Sequence, residues 1–187
     1  PLVDARATPS LGAVDALRSE LALGPWPVVL YSGNFEPYQG VELLLDALAL
    51  APHVQLLLMG GSPADVARMK AEARARGVGE RAVFSGQRPP AELPAFFAVS
   101  DVLASPRAKG QNTPFKIFTY LASGKPLVAT RIATHTQLLD DTTAFLVEPT
   151  PEGLASGIRA ALDHPEDAAA RAGRGRDLLE REYGVER

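Results

Sequence analysis

Short apolar segments alternate along the chain with amphipathic segments, and polar or glycine-containing loops separate them. The apolar segments have the length and continuous hydrophobicity of strands that are covered on both faces, as in a parallel sheet. They are residues 28–32, 54–59, 82–85, 102–105, 126–130 and 144–147. The amphipathic segments have helical spacing, and they are residues 41–51, 63–76, 91–99, 114–123, 134–139, 151–162 and 165–183. This alternation predicts an α/β fold, a Rossmann-like open parallel sheet with helices on both faces.

The first 27 residues precede this alternation. Residues 1–13 are polar and contain proline and glycine, so we interpret them as a linker or an edge loop. Residues 14–23 are predicted to form a short helix, which the Gly-Pro-Trp-Pro sequence after it ends. We therefore divide the chain into a linker remnant with a short helix, residues 1–27, and one Rossmann-like domain, residues 28–187.

The clearest candidate chemistry lies in residues 105–130, where a polar loop is followed by a helix and a buried strand. Thr113 is expected to cap the helix with its hydroxyl, and Pro114 suits the first helical position. Four apolar side chains repeat at helical spacing and are predicted to face the core: Phe115, Phe118, Leu121 and Ala122.

Lys116 stands in the first turn of this helix, where the helix dipole disfavours a cation by ~0.3–1 kcal/mol. An anion bound by the free amides of Phe115, Lys116 and Ile117 would reverse that effect, and phosphate is the usual ligand of such a helix end. The alternative is a solvated lysine that extends away from the helix. The position of Lys116 in the sequence leaves both interpretations open.

Composition excludes several classes of function. The chain of 187 residues is long enough for one domain with a core, and it is 46% hydrophobic with a net charge of −3. Nucleic-acid binding is not expected, because that function favours a basic domain. Without cysteine there is no disulfide or thiolate, and His53, His135 and His164 lack the spacing of metal ligands. No apolar run approaches the ~20 residues of a membrane span, so no transmembrane segment is expected.

In open parallel sheets, ligands bind at the carboxyl ends of the strands, near the point where the strand order reverses. The loops at this edge begin at Gly33, Gly60, Gly86, Ser105 and Arg131. Glycine lets a backbone approach a ligand closely, although tight strand-to-helix turns also require it. No GxGxxG sequence follows the first strand, so no nicotinamide or flavin cofactor of the usual kind is predicted. No Walker lysine motif is present either.

Four segments of the chain together resemble the sequence motifs of a known protein family. The most specific is NTPFKIFTYLASGKPLVATR, and YSGNFEPYQGVELLLDAL, GQRPPAEL and AFLVEPTPEGLASGI accompany it. In order and spacing they resemble the donor-binding, C-terminal half of a GT-B enzyme of glycosyltransferase family 4 (glycosyl transferases group 1). The resemblance covers roughly residue 28 to the end. It implies a nucleotide-sugar-binding domain that works with an acceptor-binding N-terminal domain, which is absent from this sequence.

The resemblance also implies roles for individual positions. The diphosphate would be bound by Gly33, Asn34, Thr113, Pro114, Phe115 and Lys116. The donor sugar would contact Gln111 and Asn112, and the ribose would contact Thr119. The base pocket would be lined by Gly60, Gly61, Gln87 and Arg88. The nucleotide-diphosphate sugar is a substrate, and no separate cofactor or metal ion is expected.

The sequence departs from the family pattern at four positions, two in the segment that contains the predicted helix 114–123 and its preceding loop and two in the loop after the first strand. Gln111 and Thr119 stand where the family usually has glutamates, and Asn34 and Gln39 stand where it usually has an arginine and a lysine. Some members of the family carry such replacements as a subgroup, so loss of activity does not follow.

Other cations could supply the missing positive charge. Arg88, Arg107 and Lys109 are the candidates, with solvated surface cations as the alternative. His135, in the loop after the fifth strand, could contact a donor hydroxyl, and a loop histidine with satisfied hydrogen bonds is the competing interpretation.

The resemblance implies a retaining hexosyltransferase, a cytoplasmic enzyme that moves a sugar from a nucleotide donor to an acceptor. Helix amides and Lys116 would stabilise the departing diphosphate. The remaining catalytic groups are expected on the absent acceptor domain, so the isolated domain is predicted to be inactive. The alternatives are a non-catalytic nucleotide-sugar-binding or scaffold domain, which the two missing glutamates suggest, a GT-B epimerase, and a flavodoxin-like domain without sugar chemistry.

Overall fold

The computed structural model describes residues 8–110 and 114–183, and within them one sheet of six strands forms. The strands are β1 (Val28–Ser32), β2 (Gln55–Met59), β3 (Ala82–Gly86), β4 (Val102–Ser105), β5 (Leu127–Thr130) and β6 (Phe145–Val147). Their order in the sheet is β3-β2-β1-β4-β5-β6, and every neighbouring pair is parallel. The predicted Rossmann-like parallel sheet is confirmed, and each strand bound agrees with its prediction to within one residue.

Helices cover both faces of the sheet. Those in the described residues are α1 (Leu11–Glu20), α2 (Val41–Leu50), α3 (Pro63–Ala75), α4 (Leu93–Val99), α5 (Phe115–Ser123), α6 (Ala133–Thr136), α7 (Pro151–Asp163) and α8 (Pro165–Tyr183). Short 3-10 turns occupy Pro37–Gln39 and Pro90–Glu92. None of these helices combines the length and apolar character that a membrane crossing requires.

Side-chain caps fix where several helices begin. Ser62 accepts a hydrogen bond from the amide of Asp65, and the Asp65 carboxylate accepts one from the amide of Ser62, so α3 begins with a capping box. The hydroxyl of Thr150 accepts a 3.0 Å hydrogen bond from the amide of Gly153 and caps α7. These caps turn the chain from the carboxyl ends of β2 and β6 back along the sheet.

The first helix, predicted over residues 14–23, begins and ends three residues earlier than the sequence indicated. Ser10 caps α1 through the amide of Ala13, so a residue interpreted as part of a linker begins the helix. Leu17 is buried in the core, and the Arg18 guanidinium donates a 2.9 Å hydrogen bond to the carbonyl of Gly24. This N-terminal helix therefore packs onto the same domain as the sheet.

The core has two parts, one on each face of the sheet. Along β1, Val29 and Tyr31 face a cluster built with α2, α3 and α7, whereas Val28 and Leu30 face a second cluster with α1, α4, α5 and α8. These strand side chains are fully buried, as expected for a strand covered on both faces.

Helix α5 buries a stripe that agrees only in part with the predicted one. Phe115 is 91% exposed, so its predicted place in the core is wrong. The fully buried side chains are Ile117, Tyr120 and Leu121, at i, i+3 and i+4, so the prediction for Leu121 is confirmed. Ala122 is partly buried and packs against the same cluster. Phe118 lies on the neighbouring stripe, where its ring packs edge-on against Tyr183 of α8 with centroids 4.9 Å apart.

The strand order reverses between β1 and β4. The chain passes outward from β1 through β2 to β3, then returns to the other side of β1 and continues through β4 and β5 to β6. The loops that follow β1 and β4 therefore lie side by side at the carboxyl edge of the sheet. In folds of this kind ligands bind in the crevice at this point, and we call the corresponding region here the crevice.

Candidate functional site

The loop after β1 comes very close to α5. Gly33 has a φ of +145°, and its amide donates a 2.9 Å hydrogen bond to the carbonyl of Met59. A Cβ atom at Gly33 would lie 2.9 Å from the Nζ of Lys116. Both the backbone conformation and the space therefore favour glycine at this position. The predicted diphosphate residues Gly33 and Lys116 are brought together.

The Lys116 side chain turns into the crevice. Its Nζ lies 4.0 Å from the centroid of the Tyr31 ring and donates a 3.2 Å hydrogen bond to Oε1 of Gln39. Within the described part of the chain, Lys116 forms no ion pair with a carboxylate. Of the two interpretations, the solvated lysine that extends away from the helix is therefore wrong.

The charge on Lys116 is poorly compensated. Burial, followed by repulsion from the Arg107 guanidinium, lowers the pKa of Lys116 from 10.5 to about 7. A neutral amide and an aromatic ring face the ammonium, and neither carries the negative charge that would offset its desolvation. An anion in the crevice would stabilise the ammonium form and raise this pKa.

The amides at the start of α5 are partly used. The Ile117 amide donates a 3.0 Å hydrogen bond to the carbonyl of Pro114, so the prediction that it is free for an anion is wrong. The helix begins at Phe115, and Pro114 occupies the N-cap position rather than the first helical position. The amides of Phe115 and Lys116 are the candidates that remain.

Two buried tyrosines position the crevice, and sequence reasoning missed them both. The hydroxyl of Tyr31 donates a 2.6 Å hydrogen bond to the carbonyl of Asn34. The hydroxyl of Tyr120 accepts a 2.8 Å hydrogen bond from the amide of Ser32, which joins α5 to the end of β1. Burial raises the pKa of Tyr120 to about 12, so the hydroxyl stays protonated. For Tyr31 the available signal was a tyrosine in the apolar run of β1, since a buried hydroxyl needs a partner.

The loop after β4 closes the other side of the crevice. The amide of Ala108 donates a 3.0 Å hydrogen bond to the carbonyl of Tyr38. The Cζ of Arg107 lies 5.3 Å from the centroid of the Tyr38 ring, and its Nε donates a 2.8 Å hydrogen bond to the carbonyl of Lys109. Arg107 is thus a candidate cation that the structure brings against the loop after β1.

The residues predicted for the base pocket have structural roles of their own. A Cβ at Gly60 would overlap the carbonyl oxygen of Gly33, and one at Gly61 would lie 2.6 Å from the Phe35 ring. Glycine at both positions therefore lets the loops after β1 and β2 pack together. Gln87 is exposed at the same edge of the sheet. Lining of a base pocket by these residues stays a prediction.

Arg88 is already paired. Its guanidinium lies 2.8 Å from carboxylate oxygens of both Glu20 and Glu92, and its Cζ lies 5.7 Å from the centroid of the Phe96 ring. Because these contacts compensate its charge, the structure favours a role for Arg88 in joining α1 to the segment before α4.

His135 is fully buried and has hydrogen bonds at both ring nitrogens. Its Nδ1 donates to the carbonyl of Thr130 at 2.7 Å, and its Nε2 accepts from the hydroxyl of Ser105 at 2.9 Å. Burial is the main cause that lowers the pKa of His135 to about 4, so the ring is neutral. The satisfied loop histidine is the interpretation that agrees with the structure.

Some predicted contacts cannot be placed. Gln111, Asn112 and Thr113 lie outside the described residues. Thr119 is partly buried on α5, and its contact with a ribose stays a prediction. Histidine, aspartate and glutamate side chains form no group of three suited to a metal ion in the parts of the chain that the structure describes. The expectation of a site without a metal ion stays a prediction as well.

Comparison with known proteins decides the family. A family model described as Glycosyl transferases group 1 matches residues 26–164. The chain belongs to this family. This glycosyltransferase domain is 32% identical over 183 residues to the GDP-mannose-dependent alpha-(1-6)-phosphatidylinositol monomannoside mannosyltransferase of Mycolicibacterium smegmatis. The match covers 91% of this chain and 48% of that protein, so the domain spans about half the length of this relative.

Solved structures share the fold of this glycosyltransferase domain. Anabaena Alr3699/HepE in complex with UDP-glucose has a TM-score of 0.86 at 22% identity, over 97% of this chain and 51% of that one. The C-terminal domain of the glycosyl transferase group 1 family protein LpcC from Francisella tularensis has a TM-score of 0.79 at 16% identity, over 100% of both chains. The fold is that of a GT-B glycosyltransferase domain.

Proposed function

We propose that this domain binds the nucleotide-diphosphate sugar donor of a hexosyltransferase. The observation that carries the proposal is Lys116, whose ammonium lies in the crevice at the strand-order reversal without a carboxylate partner among the described residues. A diphosphate is the group that would compensate this charge. The mannosyltransferase relative is GDP-mannose-dependent and the Anabaena structure contains UDP-glucose, and both support a nucleotide sugar as the ligand.

The proposed chemistry is electrostatic. As the bond between the anomeric carbon and the diphosphate breaks, negative charge grows on the departing diphosphate. The Lys116 ammonium and the amides of Phe115 and Lys116 would bind that charge more strongly than they bind the intact donor, which lowers the barrier. Retention at the anomeric carbon and membership of family 4 are proposed from the sequence resemblance.

The acceptor would bind elsewhere. The domain spans 48% of its mannosyltransferase relative, which supports an acceptor-binding N-terminal domain as its partner within the whole protein. We propose that the other catalytic groups lie there, that the whole protein is cytoplasmic, and that it needs neither a cofactor nor a nucleic acid. The donor-binding domain alone would then bind its ligand without transferring sugar.

A non-catalytic nucleotide-sugar-binding domain is the second candidate. It rests on Thr119, a neutral residue where the family usually has a glutamate for the ribose. A hydrogen bond to a neutral partner contributes ~0.5–1.5 kcal/mol, against roughly 1.5–3 kcal/mol for a charged one. Sugar transfer by the whole protein would separate the two candidates, because only the first requires it.

Titration calorimetry with the purified chain tests donor binding. We expect UDP or GDP to bind far more tightly than uridine or guanosine, because the diphosphate supplies the negative charge that would compensate the Lys116 ammonium. Lys116→Met should weaken diphosphate binding roughly tenfold to a hundredfold, as for a lost hydrogen bond to a charged group. Lys70→Met is the control, since Lys70 is exposed on α3. Equal affinity for nucleoside and nucleotide would contradict the proposal.

A further inference from the structure

We propose that Arg107 is a second diphosphate-binding residue, which supplies from the loop after β4 the positive charge that Asn34 and Gln39 do not supply after β1. This inference rests on the proposed function, since it takes the crevice to be the nucleotide-sugar site. It assigns the compensating charge to the opposite side of the strand-order reversal from the one that the family resemblance implies. Four features of the structure lead to Arg107.

The two loops that border the crevice form one continuous rim. The Ala108 amide donates a 3.0 Å hydrogen bond to the carbonyl of Tyr38. Gly40, with a φ of +74°, packs directly against the carbonyl of Pro106, which a Cβ atom would overlap. Arg107 lies between these two joined points, so its backbone is held next to the 3-10 turn Pro37–Gln39.

The guanidinium of Arg107 is fixed at this rim. Its Cζ stacks 5.3 Å from the centroid of the Tyr38 ring, and its Nε donates a 2.8 Å hydrogen bond to the carbonyl of Lys109. The Tyr38 side chain is 40% exposed, so the stacked pair lies where a ligand can reach it. A guanidinium carries its charge on a planar fork of N–H groups, a donor arrangement that suits phosphate oxygens.

Arg107 and Lys116 act on the same space. The Lys116 ammonium donates to Gln39, the neighbour in sequence of the Tyr38 ring on which Arg107 stacks. The two cations are close enough that repulsion from Arg107 contributes to the lowered pKa of Lys116. A diphosphate between them would relieve that repulsion. The neutral Gln39 fits this arrangement, because a lysine there would add a third buried cation to the crevice.

The backbone of Arg107 is anchored independently of its side chain. Its carbonyl accepts a 2.5 Å hydrogen bond from the hydroxyl of Thr130, which lies at the end of β5. The neutral ring of His135 joins Thr130 to Ser105, two residues before Arg107. Replacing the Arg107 side chain should therefore remove the cation while the loop keeps its path.

The test is diphosphate binding by Arg107→Gln. We expect its affinity for UDP or GDP, whichever binds the wild type, to fall roughly tenfold to a hundredfold. Its affinity for uridine or guanosine should change less than about threefold, since a nucleoside carries no phosphate. Arg159→Gln is the matched control, because Arg159 is exposed on α7 and loses the same charge. Affinity measured at low and high salt should show a weaker salt dependence for Arg107→Gln alone.

Two further variants make the result specific. Arg107→Lys keeps the charge and loses the fork, so its affinity should lie between those of the wild type and Arg107→Gln. Tyr38→Leu removes the stacking surface. The double variant with Arg107→Gln should lose less binding free energy than the sum of the two single losses, because both substitutions act through one guanidinium. Thermal unfolding of each variant checks that it is folded. If Arg107→Gln is not folded, the affinity of Arg107→Lys is the result that tests the proposal.

The outcomes separate this inference from the proposed function. If the wild type binds no nucleoside diphosphate, the proposed function fails. If the wild type binds and Lys116→Met weakens binding while Arg107→Gln and Arg107→Lys bind like the wild type, the function stands and the assignment of Arg107 is overturned. Losses of equal size for Arg107→Gln and Arg159→Gln would also overturn it, since they would indicate a general effect of net charge.

Discussion

At the scale of single residues, the direction of one side chain decides the interpretation of this domain. The position of Lys116 was evident from the sequence, and its environment was not. Its contacts, Gln39 and Tyr31, lie about eighty positions earlier in the chain, and only the folded sheet brings them to α5. A local pattern gives the helix and the residue on it, whereas the choice between a solvated and an inward lysine depends on distant partners.

Lys116 should make the free domain less stable at neutral pH. Its pKa is about 7 when folded and near 10.5 when unfolded, so between these values the unfolded chain binds more protons and the free energy of unfolding rises with pH. Below pH 7 the desolvation cost is present in full. Lys116→Met should therefore stabilise the domain by about 1–2 kcal/mol at pH 6, and the gain should vanish by about pH 10.5. Urea unfolding at several pH values measures this, and a pH-independent difference would contradict it.

Nucleotide-sugar binding should draw a proton onto Lys116. The bound diphosphate favours the ammonium, so above pH 7, where the free lysine is increasingly neutral, binding should take up a proton and affinity should fall as pH rises. Calorimetry with UDP-glucose and GDP-mannose in buffers of different ionisation enthalpy measures that uptake. These donors lack a phosphate group that titrates near neutral pH. Lys116→Met is the control, and uptake of the same size by this variant would exclude Lys116 as the source.

At the scale of elements, strands were easier to predict than helix faces. A strand buried on both sides needs only a continuous apolar run, and each such run formed a strand. Helix α5 has apolar side chains on two neighbouring stripes, and packing in the second core cluster fully buried the stripe of Ile117, Tyr120 and Leu121. The start of α1 was missed because Ser10 resembles a loop residue until its hydroxyl is seen to cap the helix.

Gly40 offers a test of the joined rim. Gly40→Ala should lose more stability than Gly77→Ala, although both glycines have a positive φ, of 74° and 69°. The alanine at position 77 has open space around it and carries only the backbone strain of about 1–2 kcal/mol. The alanine at position 40 would also displace Pro106, at a further cost of about 1–3 kcal/mol.

The same pair should differ in function. Displacing Pro106 would move the loop that carries Arg107, so Gly40→Ala should weaken diphosphate binding, whereas Gly77→Ala should bind like the wild type. Urea unfolding and calorimetry on both variants measure the two effects. Equal losses of stability for the two alanine variants would show that the contact between Gly40 and Pro106 contributes nothing.

At the scale of the whole molecule, the order of the strands gives the site its place. Alternating patterns predict parallel strands and leave their order open, and the observed β3-β2-β1-β4-β5-β6 arrangement brings the loops after β1 and β4 to one crevice. Gly33, Lys116 and Arg107 come from three separate segments that meet there. The family resemblance pointed to the first two, and the structure adds Arg107, whose guanidinium stacks on Tyr38 in the loop after β1.

The proposed division of labour between two domains leads to the last prediction, that this chain alone binds the donor and transfers no sugar. Transfer requires the acceptor hydroxyl to be held in register with the anomeric carbon, an advantage of several kcal/mol that one binding domain cannot provide. The chain of 187 residues and the whole protein should be incubated with labelled GDP-mannose or UDP-glucose and a lipid or soluble acceptor. We expect labelled product only from the whole protein, with Arg107→Gln and Lys116→Met lowering its rate. Transfer by the isolated chain would show that its own crevice contains the acceptor site.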